Sequence, residues 1–251
     1  MADIKPQRYK DERPAELFMS VHEWSRTHEP TWVYEAVRLI STWIAMFVYR
    51  TRAISTENVP ADGPFLLAPN HFSNLDHFFC GAYIRRKIRF MAKSQLFFKN
   101  PVLHYIFKYG GVFPVRRGHK DEEAFITANA ILDRGGCVLM YAEGGRSRTG
   151  QLGEVKPGLG RLALESGVPV VPVAIHGSQH VRGWKRFRFP KVTVQYGEPV
   201  SFPVVESPDR EQQLEAASAI FERVKAMYGA LEERGRSSVA RSLRESAPGP
   251  A

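Results

Sequence analysis

The chain has 251 residues, 43% of them hydrophobic and 24% charged, and carries a formal net charge of +9. That composition can build a sizeable core and excludes disorder for the bulk of the chain, and the length suits one α/β domain with a short N-terminal addition and a tail. The positive excess calls for an anionic partner, which nucleic acid, a lipid headgroup surface or a phosphorylated substrate would all supply.

The opening stretch MADIKPQRYKDERP is charged and lacks an apolar core, so it does not read as a secretory signal and the chain is expected to stay in the cytoplasm. Next comes WVYEAVRLISTWIAMFVYR at 32–50, which reads as a helix, with an uninterrupted lipophilic or small-residue stretch only over 39–49. A membrane span needs ~20 mostly apolar residues, and Glu35 and Arg38 shorten this one too far. Such a helix can lie on a bilayer more readily than cross it. Packing against a sheet explains the same pattern equally well.

Beyond it, β-rich runs (65–69, 88–92, 112–115, 137–142, 170–175 and 191–196) alternate with helical stretches near 75–85, 95–107, 119–134, 157–166 and 209–230. This alternation predicts an α/β fold, a mixed, mostly parallel sheet covered by helices. Several runs are apolar throughout, as strands buried on both faces should be. Cys80 and Cys137 fall in apolar stretches without metal-ligand or CxxC spacing, so no disulfide and no metal are expected. The segment from Arg234 to Arg244 leads into SAPGPA and reads as a frayed basic tail.

Ligand sites of open α/β sheets gather at the carboxyl ends of strands. Three motifs fall there. NHFSNLD at 70–76 places His71 and Asp76 five residues apart, which on one continuous helix would separate them by about 140°. If His71 sits in the turn after the strand and the helix starts near Ser73, the carboxylate can face the imidazole, fix its tautomer and leave the other nitrogen as a base. Ser73 and Asp76 also suit a helix-capping pair. GGVFPVRRG at 110–118 ends a strand in Arg116 and Arg117, whose guanidinium forks suit phosphate or a solvated basic turn. YAEGGRSRTG at 141–150 sends Glu143 into a loop where glycines let backbone N–H groups approach an anion and Arg146 adds charge. It lacks the Gly-Lys-Ser/Thr ending of a P-loop, and GLGRLA at 158–163 follows Lys156-Pro157 instead of a strand, which argues against a dinucleotide site. A histidine-carboxylate pair with no serine or cysteine nucleophile beside it implies that the attacking hydroxyl belongs to the substrate.

In the order NHFSNLD, GVFPVRRG, EGGRS and VPVVPVAI, the chain resembles the glycerophospholipid acyltransferase family, whose best-known members are the 1-acylglycerol-3-phosphate acyltransferases; the likeness covers roughly 54–199. The resemblance implies an α/β domain on a membrane face with an apolar channel for the acyl chain. It makes His71 the base and Asp76 its partner, and puts Arg117, Glu143, Gly144 and Arg146 at the acceptor phosphate, with Asn70, Arg116 and Gly145 as possible additions. It also implies O-acyl transfer in phospholipid biosynthesis from acyl-CoA or acyl-carrier protein to lysophosphatidate, with no further cofactor. Arg116 stands where the family often has aspartate, and Gly145 where threonine, serine or proline is common, which leaves glycerol-3-phosphate, a lyso-aminolipid or a glycolipid open as acceptor.

Membrane association is also expected from VRGWKRFRFPK at 181–191, where Trp184 and Phe187 can enter the interface while Lys185, Arg186 and Arg188 meet an anionic leaflet. Residues 1–50 are thus read as a membrane-association segment, 51–233 as the acyltransferase domain and 234–251 as a flexible tail, peripheral on the cytoplasmic face. The basic aromatic stretch could also bind RNA, and YIRRKIRF at 83–90 shares that ambiguity but reads more readily as a charged helix end. A nucleic-acid-binding protein would leave the His71/Asp76 spacing unexplained, so no nucleic acid is expected.

Overall fold

The computed structural model describes residues 10–119, 121–147, 149–181 and 189–246. Seven strands, β1 (Arg52–Ile54), β2 (Phe65–Pro69), β3 (Ile88–Lys93), β4 (Val112–Val115), β5 (Cys137–Leu139), β6 (Val170–His176) and β7 (Thr193–Tyr196), form one sheet in the order β1-β7-β6-β2-β5-β3-β4. All neighbours run parallel except β6 and β7. The mixed, mostly parallel α/β sheet expected from the alternating pattern is therefore present.

Strand side chains alternate between the two faces. Leu66 and Ala68 of β2 join the core beneath α5 (Glu122–Asp133), α6 (Gly158–Ser166) and α7 (Arg210–Ser246), with Ile131, Leu162 and Phe221. Phe65 and Leu67 point the other way, to Phe79 and Cys80 of α3 (Asp76–Gly81) and to Tyr49. Cys80 and Cys137 are free thiols buried in this second layer. Gly160, in the sequence that mimics a nucleotide fingerprint, sits at the crossing of α6 and α7, where a Cβ would overlap the Gln213 carbonyl oxygen. Its lack of a side chain serves helix packing.

N-terminal to the sheet, α1 (Met19–Thr27) packs on the domain through Val21, which joins Phe18, Phe97 and Val112. The helix α2 (Trp32–Trp43) starts where the Thr31 hydroxyl accepts from the Val33 amide at 3.3 Å, and continues into a π-helical turn, Ile44–Val48. Helix and turn together bury one side and expose the other. Val33, Tyr34 and Ala45 are buried, while Trp32, Leu39, Ile40, Trp43 and Phe47 are exposed. Helix α4 (Pro101–Tyr109) starts at an Asn100 cap that accepts from the amides of Val102 and Leu103, and none of its residues is buried.

Two expectations change. The segment after Arg234 is not frayed as far as Ser246: the chain breaks helical geometry at Gly235 (φ 72°), and beyond it Val239 and Ala240 return to the core. Their apolar spacing was hidden among Arg, Ser and Glu. In the 83–90 stretch, Arg86 donates to the carbonyls of Pro60, Gly63 and Gly135, and Arg89 is buried against the carbonyls of Ser25 and His28. Those arginines tie the fold together.

Candidate active site

Strands β2, β4 and β5 run parallel within the sheet, so their carboxyl ends share one edge. His71 leaves β2 in a turn anchored by the buried Asn70, whose amide oxygen accepts from the Ile175 N–H at 2.7 Å and whose amide group donates to the Ile175 carbonyl at 3.0 Å. Asn70 thus holds the turn to β6. Helix α3 starts at Asp76, three residues later than Ser73, so the chain from 71 to 75 is free to bend back.

That bend closes on a single oxygen. Asp76 Oδ2 accepts from His71 Nδ1 at 2.9 Å and from the amides of Phe72 and Ser73, each at 2.7 Å. The carboxylate thus both secures the turn ahead of α3 and holds the imidazole, while the helix itself starts after Leu75 without a side-chain cap. An oxygen that already accepts two amide N–H groups requires a donor from the ring, so the proton lies on Nδ1 and Nε2 is the basic nitrogen. The Tyr141 ring stacks on the imidazole with centroids 3.8 Å apart and planes 14° apart, adding a second restraint.

The loop after β5 is tied to the same turn. Glu143 Oε1 accepts the His71 amide and Oε2 the Gly153 amide, both at 2.7 Å. The Ser147 amide donates back to the His71 carbonyl at 2.8 Å. Burial raises the Glu143 carboxyl to about 7, against the lowering effect of its two amide donors. Both oxygens are occupied by backbone amides, so Glu143 ties the loop after β5 to the His71 turn. A side chain at Gly153 would meet Glu143 Oε2, which explains a glycine that the motif reading missed. Tyr141 was missed as well, although it is the residue that opens the loop motif.

The two strand-end arginines diverge. Arg116 turns to the N-terminal segment: its guanidinium donates to the Arg13 carbonyl at 2.8 Å and its amide to Asp121 Oδ2. Arg117 lies over Gly145, where a Cβ would stand 3.3 Å from Nη1, and the absence of a larger residue gives the guanidinium its room. Gly144 adopts φ 62°, a left-handed conformation that turns the loop. Arg146 donates to Asn74 Oδ1 at 2.6 Å and so lies beside the His71 turn. Among the described residues no group of His, Cys, Asp and Glu could hold a metal. Trp184, Lys185, Arg186, Phe187 and Arg188 lie outside the described residues.

An apolar cleft, about 560 Å³ with its open mouth included, lies between α2, α3, α4 and the adjoining strands, with Val37, His77, Phe78, Phe90 and Ile106 in its walls. Its wall residue His77 directly follows Asp76, whose carboxylate holds His71.

The sequence model of the family described as Acyltransferase matches residues 50–176. The chain is 30% identical over 133 residues to a chloroplastic 1-acyl-sn-glycerol-3-phosphate acyltransferase, BAT2, of Brassica napus, covering 52% of this chain and 38% of that protein. It is 32% identical over 148 residues to a probable 1-acyl-sn-glycerol-3-phosphate acyltransferase of Mycoplasma genitalium, covering 56% and 54%. The chain therefore spans about half or less of the length of these relatives. The crystal structure of the 1-acyl-sn-glycerophosphate acyltransferase PlsC from Thermotoga maritima superposes with a TM-score of 0.60 at 22% identity, over 87% of this chain and 97% of that one, and so shares its fold.

Proposed function

The chain belongs to the acyltransferase family, and on that premise we propose that it transfers a fatty acyl group from a thioester to the free hydroxyl of 1-acylglycerol-3-phosphate, a step of phospholipid synthesis. The observation that carries this reading is the His71–Asp76 pair, with Nδ1 held at 2.9 Å and Nε2 left to act. His71 Nε2 takes the acceptor's hydroxyl proton as its oxygen attacks the thioester carbonyl, and Asp76 stabilises the imidazolium. The tetrahedral intermediate collapses by breaking the C–S bond, and the thiolate leaves with the proton returned from His71. No acyl-enzyme forms.

Arg117 and Arg146 are assigned to the acceptor phosphate, because both are carried by elements that converge on the His71 turn. The apolar cleft takes the acyl chain. Coenzyme A and acyl-carrier protein remain equivalent donors on this chemistry.

The protein works at the cytoplasmic surface of a membrane as a peripheral enzyme. Support comes from the exposed apolar face of α2 and its π-helical turn, and from Val102, Leu103 and Tyr105 on α4, which stands across the cleft. Among the described residues no helix is long and apolar enough to cross a membrane. Residues 1–50 and the basic stretch at 184–188 contribute the attachment and residues 51–233 the chemistry. Purified protein tested with a panel of lysolipids, each with an acyl-CoA and an acyl-carrier-protein donor, should acylate lysophosphatidate above the other acceptors. Comparable rates on lysolipids that lack a phosphomonoester would refute the acceptor assignment.

A further inference from the structure

His77 stands immediately after Asp76 and in the wall of the apolar cleft. Its ring packs on Phe78 and Phe90 with centroids 4.0 and 4.5 Å apart. Three other polar residues of the cleft use their groups within the protein. Tyr34 Oη accepts the Ile88 amide, the Arg38 guanidinium holds Glu35 and the Ile84 carbonyl, and the Ser41 hydroxyl donates to the Arg38 carbonyl. His77 has no hydrogen bond among the described residues. Burial, with a smaller contribution from His71, lowers its imidazole to about 3, so the ring is neutral at physiological pH and offers one N–H and one bare nitrogen.

A purely apolar chain filling this cleft strips water from those two atoms and returns nothing, which disfavours it. A chain with a hydroxyl at the same depth replaces the water. Sites built to hydrogen-bond a substrate hydroxyl discriminate sharply against the analogue that lacks it, whereas apolar walls barely distinguish the two. Because the reacting carbonyl must come within reach of the oxygen activated by His71, a group beside Asp76 meets the first carbons of the chain.

We infer that His77 is a specificity-determining residue for the acyl donor, a single hydrogen-bonding point that selects acyl chains bearing a hydroxyl close to the thioester carbon. The inference rests on the acyl-transfer reading and narrows it to a donor class. The test measures kcat/KM of the full chain for a 3-hydroxyacyl-CoA and an unsubstituted acyl-CoA of equal length, with lysophosphatidate as the common acceptor. The wild-type ratio should favour the hydroxylated donor by about tenfold, the worth of one hydrogen bond, and His77→Phe should bring the ratio close to one. His77→Leu is read in the same way if the Phe variant does not fold. A wild-type ratio at or below one, or a preference that survives either substitution, overturns the assignment. Absence of transfer from both donors in the wild type contradicts the acyl-transfer reading itself, and this inference with it.

Discussion

The carboxylate of Glu143 accepts the backbone N–H of His71 at 2.7 Å, so the loop after β5 and the turn after β2 are held as one piece. The second oxygen does the same for Gly153. This buried bridge makes stability depend on pH. A solvated glutamate releases its proton near 4.5, whereas Glu143 in the fold keeps it up to about 7. Between those values the folded protein binds more protons than the unfolded chain, so this group's contribution to stability falls as pH rises through the window. Urea midpoints of the wild type and Glu143→Gln, compared at pH 5 and pH 7.5, should show a downward component in the wild type that the variant lacks. The variant should also turn over more slowly, because an amide can accept from only one of the two N–H donors. Identical pH slopes would remove Glu143 from this role.

Tyr141 contributes its ring and not its hydroxyl. The ring stacks on His71, and the buried Oη has no hydrogen-bond partner among the described residues. Tyr141→Phe should keep kcat and match or slightly raise the melting temperature, since an unsatisfied hydroxyl is removed. Tyr141→Ala releases the imidazole and should lower kcat by about tenfold, the order of an aromatic stacking contribution. Equal loss in both variants would mean that the hydroxyl matters.

Arg117→Ala and Arg146→Ala should raise the KM for lysophosphatidate by roughly ten- to a hundredfold, as expected when a charge-assisted hydrogen bond is lost. The KM for the thioester should change far less. Arg116→Ala serves as the contrast: its guanidinium braces the Arg13 carbonyl, so it should lower thermal stability and leave the acceptor KM alone. An acceptor KM that responds to Arg116 and not to Arg117 would reverse the assignment of the pair.

Much of this site could be read from residue order, and the reasons differ from residue to residue. His71 and Asp76 were legible through the family resemblance of NHFSNLD, and their spacing showed that the two could meet only across a turn. The strand β2 was legible because FLLAP is apolar on both faces and bounded by breakers. Arg116 and Arg117 are adjacent and chemically identical, and only the fold separates a guanidinium spent on Arg13 from one that faces Gly145. The two amides that Glu143 accepts were not legible, because a motif gives position and not direction: its oxygens turn inward. Strand β1 has only three residues, too few for periodicity to register, and exists through its pairing with β7.

Membrane attachment should be tested on the surface, because Phe18, Val21, Ala45 and Tyr49 are core residues and removal of 1–50 would uncover the partners they pack on, such as Phe79 and Phe97. Trp43→Ser with Phe47→Ser, and separately Val102→Ser with Leu103→Ser, replace exposed side chains. Each pair should weaken flotation with anionic liposomes while circular dichroism stays unchanged. Binding should also weaken as salt screens Lys185, Arg186 and Arg188. Undiminished flotation of both pairs would deny these faces to the bilayer.

The most direct measurement is the rate at which labelled acyl groups pass from a thioester to lysophosphatidate in detergent solution, for the wild type and for His71→Ala of matched melting temperature. A general base is typically worth ~10²–10⁴ in rate. The account predicts a loss of that size in His71→Ala with little change in either KM, and a severe loss in Asp76→Asn as well. A folded His71→Ala protein that turns over lysophosphatidate at close to the wild-type rate would contradict it.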